Sequence, residues 1–339
     1  MQATQTTEKP LTQVKSQKDL HKEVDASGAW SVAQIEALFA LPFSELMFKA
    51  QETHRANFPD GDVELATLLS IKTGGCPEDC AYCSQSNQSE SEIKLNPLLP
   101  VSEVEAIAKS AKERGIKRIC MGAAYKNPTS AAIGRSCEYI AAIKKHGLET
   151  CATLGSLTEA QALTLKQAGL DYYNHNIDTS PEYYSQVITS RTFNDRLDTI
   201  NHVGAAGIKV CCGGVLGMGE SQDDRISFIH ALTVLPYAPS SIPINMLVKI
   251  AGTKLAEVAD LDKFELLRTI ATTRILFPTT RIRLSAGRDQ LSELEQALCF
   301  LAGANSIFYG DKLLTAPNNA RHADLELLAK LGSNNAQLG

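Results

Sequence analysis

From about residue 64 onward, short apolar and β-branched runs alternate with longer amphipathic runs. The short runs predict eight strands, at residues 65–71, 118–122, 149–154, 172–177, 209–215, 243–248, 281–285 and 306–309. Between them, apolar positions recur at helical spacing over residues 101–114, 131–146, 158–168, 193–206, 223–235, 262–277 and 291–302. Gly115, Gly147, Gly169, Gly207 and Gly303 stand where helix C-caps are wanted. Alternating β and α elements predict a parallel sheet. Eight such units predict a closed α/β fold of the (β/α)₈ TIM-barrel type rather than an open sheet. The stretch before the barrel is of another kind. Ser31 and Gln34 have capping-box spacing ahead of Ile35, Leu38 and Phe39. Pro42 interrupts this helix, and a second is predicted from Ser44 to about Asn57. The expected organisation is a flexible extension over 1–29, N-terminal helices over 30–60, the barrel over 61–315 and a C-terminal tail over 316–339.

Composition narrows the class. With 44% hydrophobic residues in 339, the chain can bury a large core, which excludes wholesale disorder. Lys and Arg number 33 against 38 Asp and Glu, a net charge of −5, without the basic clusters of a nucleic-acid or anionic-membrane protein. Residues 226–248 carry no charge, but Pro236, Pro239 and Pro243 exclude a spanning helix, so no membrane segment is expected. The 9 cysteines are too few for a disulfide scaffold, and no secretory signal precedes them. They read as thiols or metal ligands in a reducing, cytoplasmic setting.

The sharpest local signal is Cys76-Pro-Glu-Asp-Cys80-Ala-Tyr-Cys83, just after the first strand and Gly74-Gly75. This is the first βα loop, at the barrel face where active sites sit. Three thiolates so close can wrap one metal centre. A zinc knuckle needs a fourth ligand, and none is near in sequence. Three cysteines on a four-iron cluster would leave one iron open for a ligand. Cys120, Cys151 and Cys211 fall in the second, third and fifth predicted strands, and Arg283 falls in the seventh. Because side chains alternate along a strand, all four could point into the barrel. Taken singly, each cysteine could equally be a small core residue. Local chemistry alone would pair Arg283 with a carboxylate, since a guanidinium offers no lone pair.

The C-x₃-C-x₂-C spacing, with Tyr82 before the third cysteine, resembles the radical S-adenosylmethionine (SAM) superfamily. From about Trp30 to Leu331 the chain further resembles the biotin synthase family within it. The segments that carry this include Cys120-Met-Gly-Ala-Ala124, Tyr172-Tyr-Asn-His-Asn-Ile-Asp178, Pro243-Ile-Asn-Met-Leu-Val-Lys249, Arg283-Leu-Ser-Ala-Gly-Arg288 and Ala302-Gly-Ala-Asn-Ser-Ile-Phe-Tyr-Gly310. The resemblance implies a [4Fe-4S] cluster on Cys76, Cys80 and Cys83, with SAM on its open iron. It implies a [2Fe-2S] cluster on Cys120, Cys151, Cys211 and Arg283, and dethiobiotin as substrate. A deoxyadenosyl radical would abstract hydrogen twice from dethiobiotin, and a sulfide of the second cluster would become the thiophane sulfur. An electron-donor protein of flavodoxin or ferredoxin type and a homodimer come with the family.

Resemblance also assigns the contacts. Tyr82, Gly122, Ala123, Ala124 and Val215 would face SAM. Asn176 and Asp178 would suit the ribose hydroxyls, and Arg196 the SAM carboxylate. A solvated pair of Arg196 with Asp195 is the plain alternative. Asn245 and Asn176 would meet the ureido ring, while a purely structural hydrogen-bonding role for Asn245 stays open. Cys212 departs from the family pattern. Strand parity lets only one of Cys211 and Cys212 face inward, and Cys211 is the match. Cys137, on an apolar helical face with Ile133 and Ile140, reads as core, and Cys299, in a predicted helix, is assigned no role. Two alternatives remain: another sulfur-inserting radical SAM enzyme such as a lipoyl synthase, with further cysteine motifs that this chain lacks, and a non-redox zinc barrel.

Overall fold

A computed structural model describes residues 30–310, 313–316 and 318–333. The extension expected over 1–29 lies outside the described residues.

Two helices come first, α1 (Val32–Phe39) and α2 (Phe43–Asn57). Ser31 and Gln34 form the expected capping box, each side chain bonding the other's backbone. The barrel strands are β1 (Glu64–Lys72), β2 (Arg118–Ala123), β3 (Glu149–Thr153), β4 (Tyr172–Asn174), β5 (Lys209–Cys211), β6 (Gly214–Leu216), β7 (Ser241–Met246), β8 (Arg281–Leu284) and β9 (Ser306–Phe308). All pairings among them are parallel, and the ring closes where β5 meets β7 at Cys211 and Ser241. The outer layer is α3 (Val101–Glu113), α4 (Ser130–Lys144), α5 (Glu159–Gln167), α6 (Tyr184–Val187), α7 (Phe193–Ala205), α8 (Gln222–Thr233), α9 (Lys263–Leu276) and α10 (Glu293–Leu301). A last helix, α11 (Arg321–Lys330), lies in the stretch read as a tail. The buried Arg288–Asp324 ion pair, at 2.5 Å, ties it to the barrel. Among the described residues no helix is long and apolar enough to cross a membrane.

Strand parity organises the interior. Ile119, Met121, Ala152, Tyr173, Val210, Ile242, Ile244, Ile282, Leu284 and Ile307 belong to the main core under the helices. Their strand neighbours face the lumen, where Ala66, Cys120, Cys151 and Tyr172 form a separate buried cluster. The predicted fifth strand is one stave in two pieces, because β5 stops at Cys211 and β6 begins at Gly214. Backbones crowd at the break. A Cβ on Gly213 would meet Pro243 O at 2.0 Å, and one on Gly214 would meet Asp178 O at 2.5 Å. The fourth strand likewise ends early, at Asn174. Beyond it the chain turns through Asp178, the one non-glycine residue with positive φ among the described residues. Both departures open the strand tips of this side of the barrel, where the site lies.

At the outer ring, His54 of α2 is buried, its ring 5.4 Å from that of Phe58. Burial and the charges of Arg274 and Arg281 lower its pKa from 6.5 to about 4. The unfolded chain therefore takes up a proton here before the folded one does. Stability contributed by neutral His54 is present above pH 6.5 and is lost as pH falls from 6.5 to about 4. Denaturant melts of His54→Phe across that window should show a flatter acid decline than the parent. An equally steep decline would refute the assignment.

Candidate active site

The Cys76–Cys83 loop leaves β1 at the C-terminal mouth of the barrel and is held in place by buried ions. Asp79 accepts hydrogen bonds from Thr189 N and Ser190 N, and from the Thr189 hydroxyl. These bonds outweigh burial and hold its pKa well below the usual carboxylate range. Glu78 pairs with Arg191 at 2.7 Å and accepts from the Ser190 hydroxyl. Arg191 also donates to Ser156 Oγ and Lys126 O. Beneath the loop, Ala81 packs with Tyr184, Val187, Ile188 and Met218. Both acids thus anchor the loop that carries the three thiols. Sequence reading assigned them no role, although two adjacent charges inside a short cysteine motif were a visible sign of buried partners.

Cys76, Cys80 and Cys83 line one cavity with Tyr82, Gly122, Ala123, Ala124, Asn176, Asp178 and Arg196. Burial raises the pKa of all three thiols, that of Cys83 to about 11. Metal binding here must displace protons. Among the described residues no three His, Cys, Asp or Glu side chains close on one ion-sized point. The triplet is an open lining of soft donors, which suits an iron–sulfur cluster with one iron turned to the cavity. Arg196 is no surface partner of Asp195. It pairs with buried Asp178 at 2.7 Å and donates from Nε to the Tyr184 hydroxyl, while Asp195 caps α7 through Thr192. Burial pushes the Asp178 carboxyl up, opposed by Arg196 and a Tyr82 hydrogen bond.

A second cavity adjoins the first. Val215, Asn245, Met246 and Leu247 line it, and Tyr82, Cys83, Gln85, Asn176 and Leu314 border both. Asn245 is not left seeking a partner. Its Nδ2 donates to Gly214 O at 2.8 Å and its Oδ1 accepts from Ala286 N at 3.1 Å. Asn176 Oδ1 accepts from Asn174 Nδ2 and Gly213 N. His175 is fully buried, and burial lowers its pKa well below 6.5, so it is neutral.

Deeper in the lumen, parity brings the second thiol set together. Cys120 and Cys151 are register partners, and Cys211 pairs with Asn174 on the next strand over. The Cys151 thiol lies within hydrogen-bond reach of both others. Hydrogen bonds from Cys151, then the charge of Arg283, lower the Cys120 and Cys211 pKa values. Cys151 is raised correspondingly. Arg283 pairs with Glu64 at 2.9 Å, the carboxylate partner that local chemistry called for. Burial opposes its charge, but Cys120, Cys211 and Glu64 outweigh that and raise its pKa. Cys212 faces the other way, into the main core, with Cys299. Cys137 packs against that core. Sequence reading missed Asn174, whose Nδ2 lies 3.4 Å from Cys211 Sγ and 3.0 Å from Asn176 Oδ1. A polar residue at the inward parity of a strand was its only signal.

Residues 70–232 match the Radical SAM superfamily, and residues 243–334 match the Biotin and Thiamin Synthesis associated domain. Solved structures share the fold. Methylornithine synthase (PylB) superposes with a TM-score of 0.78 at 19% identity, over 94% of this chain and 98% of that one. The FeFe-hydrogenase maturase HydG from Carboxydothermus hydrogenoformans gives 0.78 at 18%, over 93% and 78%. A closed parallel barrel with a cysteine triplet at its mouth, together with these matches, defines a radical SAM enzyme, which implies a [4Fe-4S] cluster and SAM. Two curated relatives narrow the class. The biotin synthase of Polaromonas naphthalenivorans (strain CJ2) is 53% identical over 95% of this chain and 94% of its own length. That of Coxiella burnetii (strain Dugway 5J108-111) is 55% identical over 89% and 94%. The chain belongs to the biotin synthase family.

Proposed function

We propose that the chain inserts sulfur into dethiobiotin to make biotin, with a [2Fe-2S] cluster in the barrel as sulfur donor. The observation that supports this most directly is the adjoining of two cavities above a separate three-thiol set, with Asn174 bridging Cys211 to Asn176. Such a layout brings a radical source, a substrate and a sulfur source within reach of each other. When bound, the [4Fe-4S] cluster with SAM supplies a 5′-deoxyadenosyl radical, and the second cluster supplies sulfide.

On this reading Cys76, Cys80 and Cys83 hold the first cluster. Arg196, oriented by Asp178 and the Tyr184 hydroxyl, meets the SAM carboxylate. Tyr82, Gly122, Ala123, Ala124, Val215 and Asp178 shape the rest of the SAM site. Asn176, which lines both cavities, stands between SAM and dethiobiotin, its Oδ1 already engaged by Asn174 and Gly213. Cys120, Cys151 and Cys211 hold the second cluster, with Arg283 at the fourth position. Neutral His175 moves no proton, since hydrogen-atom abstraction asks for none. The chain's own work is alignment and exclusion of water and stray hydrogen donors. Electrons from a flavodoxin- or ferredoxin-type protein, a homodimer and a cytoplasmic setting complete the reading and rest on family membership. The test is an anaerobic assay with dethiobiotin, SAM and a reductant. Biotin is the expected product, and deoxyadenosine formed without biotin would overturn the substrate assignment.

Asn245 carries a more particular expectation. Both ends of its amide are bound to backbone, so Asn245→Leu removes both bonds and takes from Ala286 N its acceptor, at about 1–3 kcal/mol of stability. If the remaining amide capacity also serves the ureido ring, dethiobiotin binding falls by roughly 10-fold or more, the effect of one lost hydrogen bond to a buried polar group. Calorimetric affinity and melting temperature measured on one sample separate the two roles. Lower stability with unchanged affinity would remove Asn245 from the substrate site.

A further inference from the structure

The lumen beneath the second thiol set ends in charge. Glu64, Arg118, Glu149 and Arg281 are the first residues of β1, β2, β3 and β8, at the N-terminal face of the barrel. Register places Glu64 opposite Ser306 on β9, and Ser306 opposite Arg283 on β8. The buried Glu64 carboxylate is shared between two guanidiniums. Its Oε1 accepts from Arg283 Nη2 at 2.9 Å and from Ser306 Oγ at 3.3 Å, and its Oε2 accepts from Arg118 Nη2 at 3.1 Å. Arg283 Nε is taken by Ser306 Oγ at 3.0 Å. Nη1 is thus the Arg283 nitrogen that carries none of these bonds. Arg118 is equally confined. It stacks on the Tyr172 ring at 3.6 Å and bonds Glu149, and its buried Nη1 has no hydrogen-bond partner. Tyr172 is the register partner of Cys151 and packs in one cluster with Cys120 and Cys151. Arg118 thus stands beside the Cys120–Cys151 side of the lumen, the Arg283 charge acts on Cys120 and Cys211, and one carboxylate orients both guanidiniums.

We propose that Glu64 is a positioning residue for the second cluster: it locks Arg283 and Arg118 against the floor and leaves Arg283 Nη1 as the nitrogen available to the cluster. The proposal rests on the reading that Cys120, Cys151 and Cys211 hold a [2Fe-2S] cluster. A carboxylate serving only to close the barrel floor would contribute stability and leave cluster properties alone. A positioning carboxylate makes two further differences. Its negative charge disfavours the reduced cluster, so its removal raises the midpoint potential. Its hold on a ligand sets cluster retention, where outer partners are typically worth about 10- to 100-fold in metal affinity.

The test compares the parent, Glu64→Gln, Glu64→Asp and Glu149→Gln, each reconstituted anaerobically with iron and sulfide. Glu149 contacts Arg118 at the half-exposed rim and serves as the control. Readouts are the absorption envelope and midpoint potential of the second cluster and its loss rate under a chelator, with SAM binding as internal reference. Glu64→Gln should raise the potential and speed cluster loss about 10- to 100-fold, with SAM binding and Glu149→Gln unchanged. Should Glu64→Gln not fold, Glu64→Asp keeps the charge but cannot span both guanidiniums. It should still lose the second cluster faster. Parent-like potential and retention in a folded Glu64 variant would overturn the proposal. A parent that binds only one cluster would instead overturn the reading beneath it, and the two failures are distinct.

Discussion

Cys80→Ala reduces SAM cleavage to background, a loss greater than the roughly 100-fold that even outer partners of a metal site can cost. Cys80 sits mid-motif, between Asp79, which is held by Thr189 and Ser190, and Ala81, whose N–H donates to Val187 O at 2.9 Å. The loop around it is pinned on both sides, so no neighbouring donor can move in to replace the thiolate. A cluster left on two thiolates keeps neither its geometry nor its potential. Alanine also leaves the anchoring acids untouched, so the fold should melt close to the parent. The check is deoxyadenosine formed from SAM and dithionite by the reconstituted variant. Appreciable product would show that the radical cluster lies elsewhere.

The second large effect separates two adjacent cysteines. Cys211→Ala should lose the second cluster and with it biotin formation, while SAM cleavage without coupled product persists. Cys212→Ser should keep both clusters. The reason is parity. Cys211 ends β5 facing the lumen, with Cys151 and Asn174 at its sulfur, whereas Cys212 is buried in the main apolar core. Serine at 212 puts a hydroxyl into the main apolar core in place of a thiol that contacts the Ile177 backbone, so a stability loss of about 1–3 kcal/mol is expected there. Iron and sulfide content, visible absorption and biotin yield decide the outcome. The reverse pattern would put the wrong sulfur in the lumen.

Glu64 bears on the standing of Arg283. Sequence chemistry pairs an arginine in a strand with a carboxylate, and that pair exists. The same pair leaves Nη1 without those bonds, so ion pairing and a role toward the thiols are compatible within one guanidinium.

Local pattern determined the number and order of the barrel units, because strand and helix periodicities are short-range properties. The helix-ending glycines, all in the left-handed region, and the Ser31–Gln34 capping box follow from the same short range. So does the cysteine triplet, whose members lie within one loop. Strand parity even indicated that Cys120, Cys151, Cys211 and Arg283 could share the lumen. Other features were decided only by the tertiary structure. The β5–β6 break coincides with the approach of Pro243 O from β7 and of Asp178 O from the turn after β4 to Gly213 and Gly214, a crowding that no local window contains. Arg196 pairs with Asp178 rather than Asp195 because α7 and the turn after β4 converge across 18 residues of chain. Glu64 meets Arg283 across 219 residues through the register of β1, β9 and β8, and barrel closure alone sets that register. Asn245 is held by Gly214 and Ala286 because its neighbours stagger around the ring. Periodicity specifies which way a side chain points, and only closure of the ring specifies what it meets.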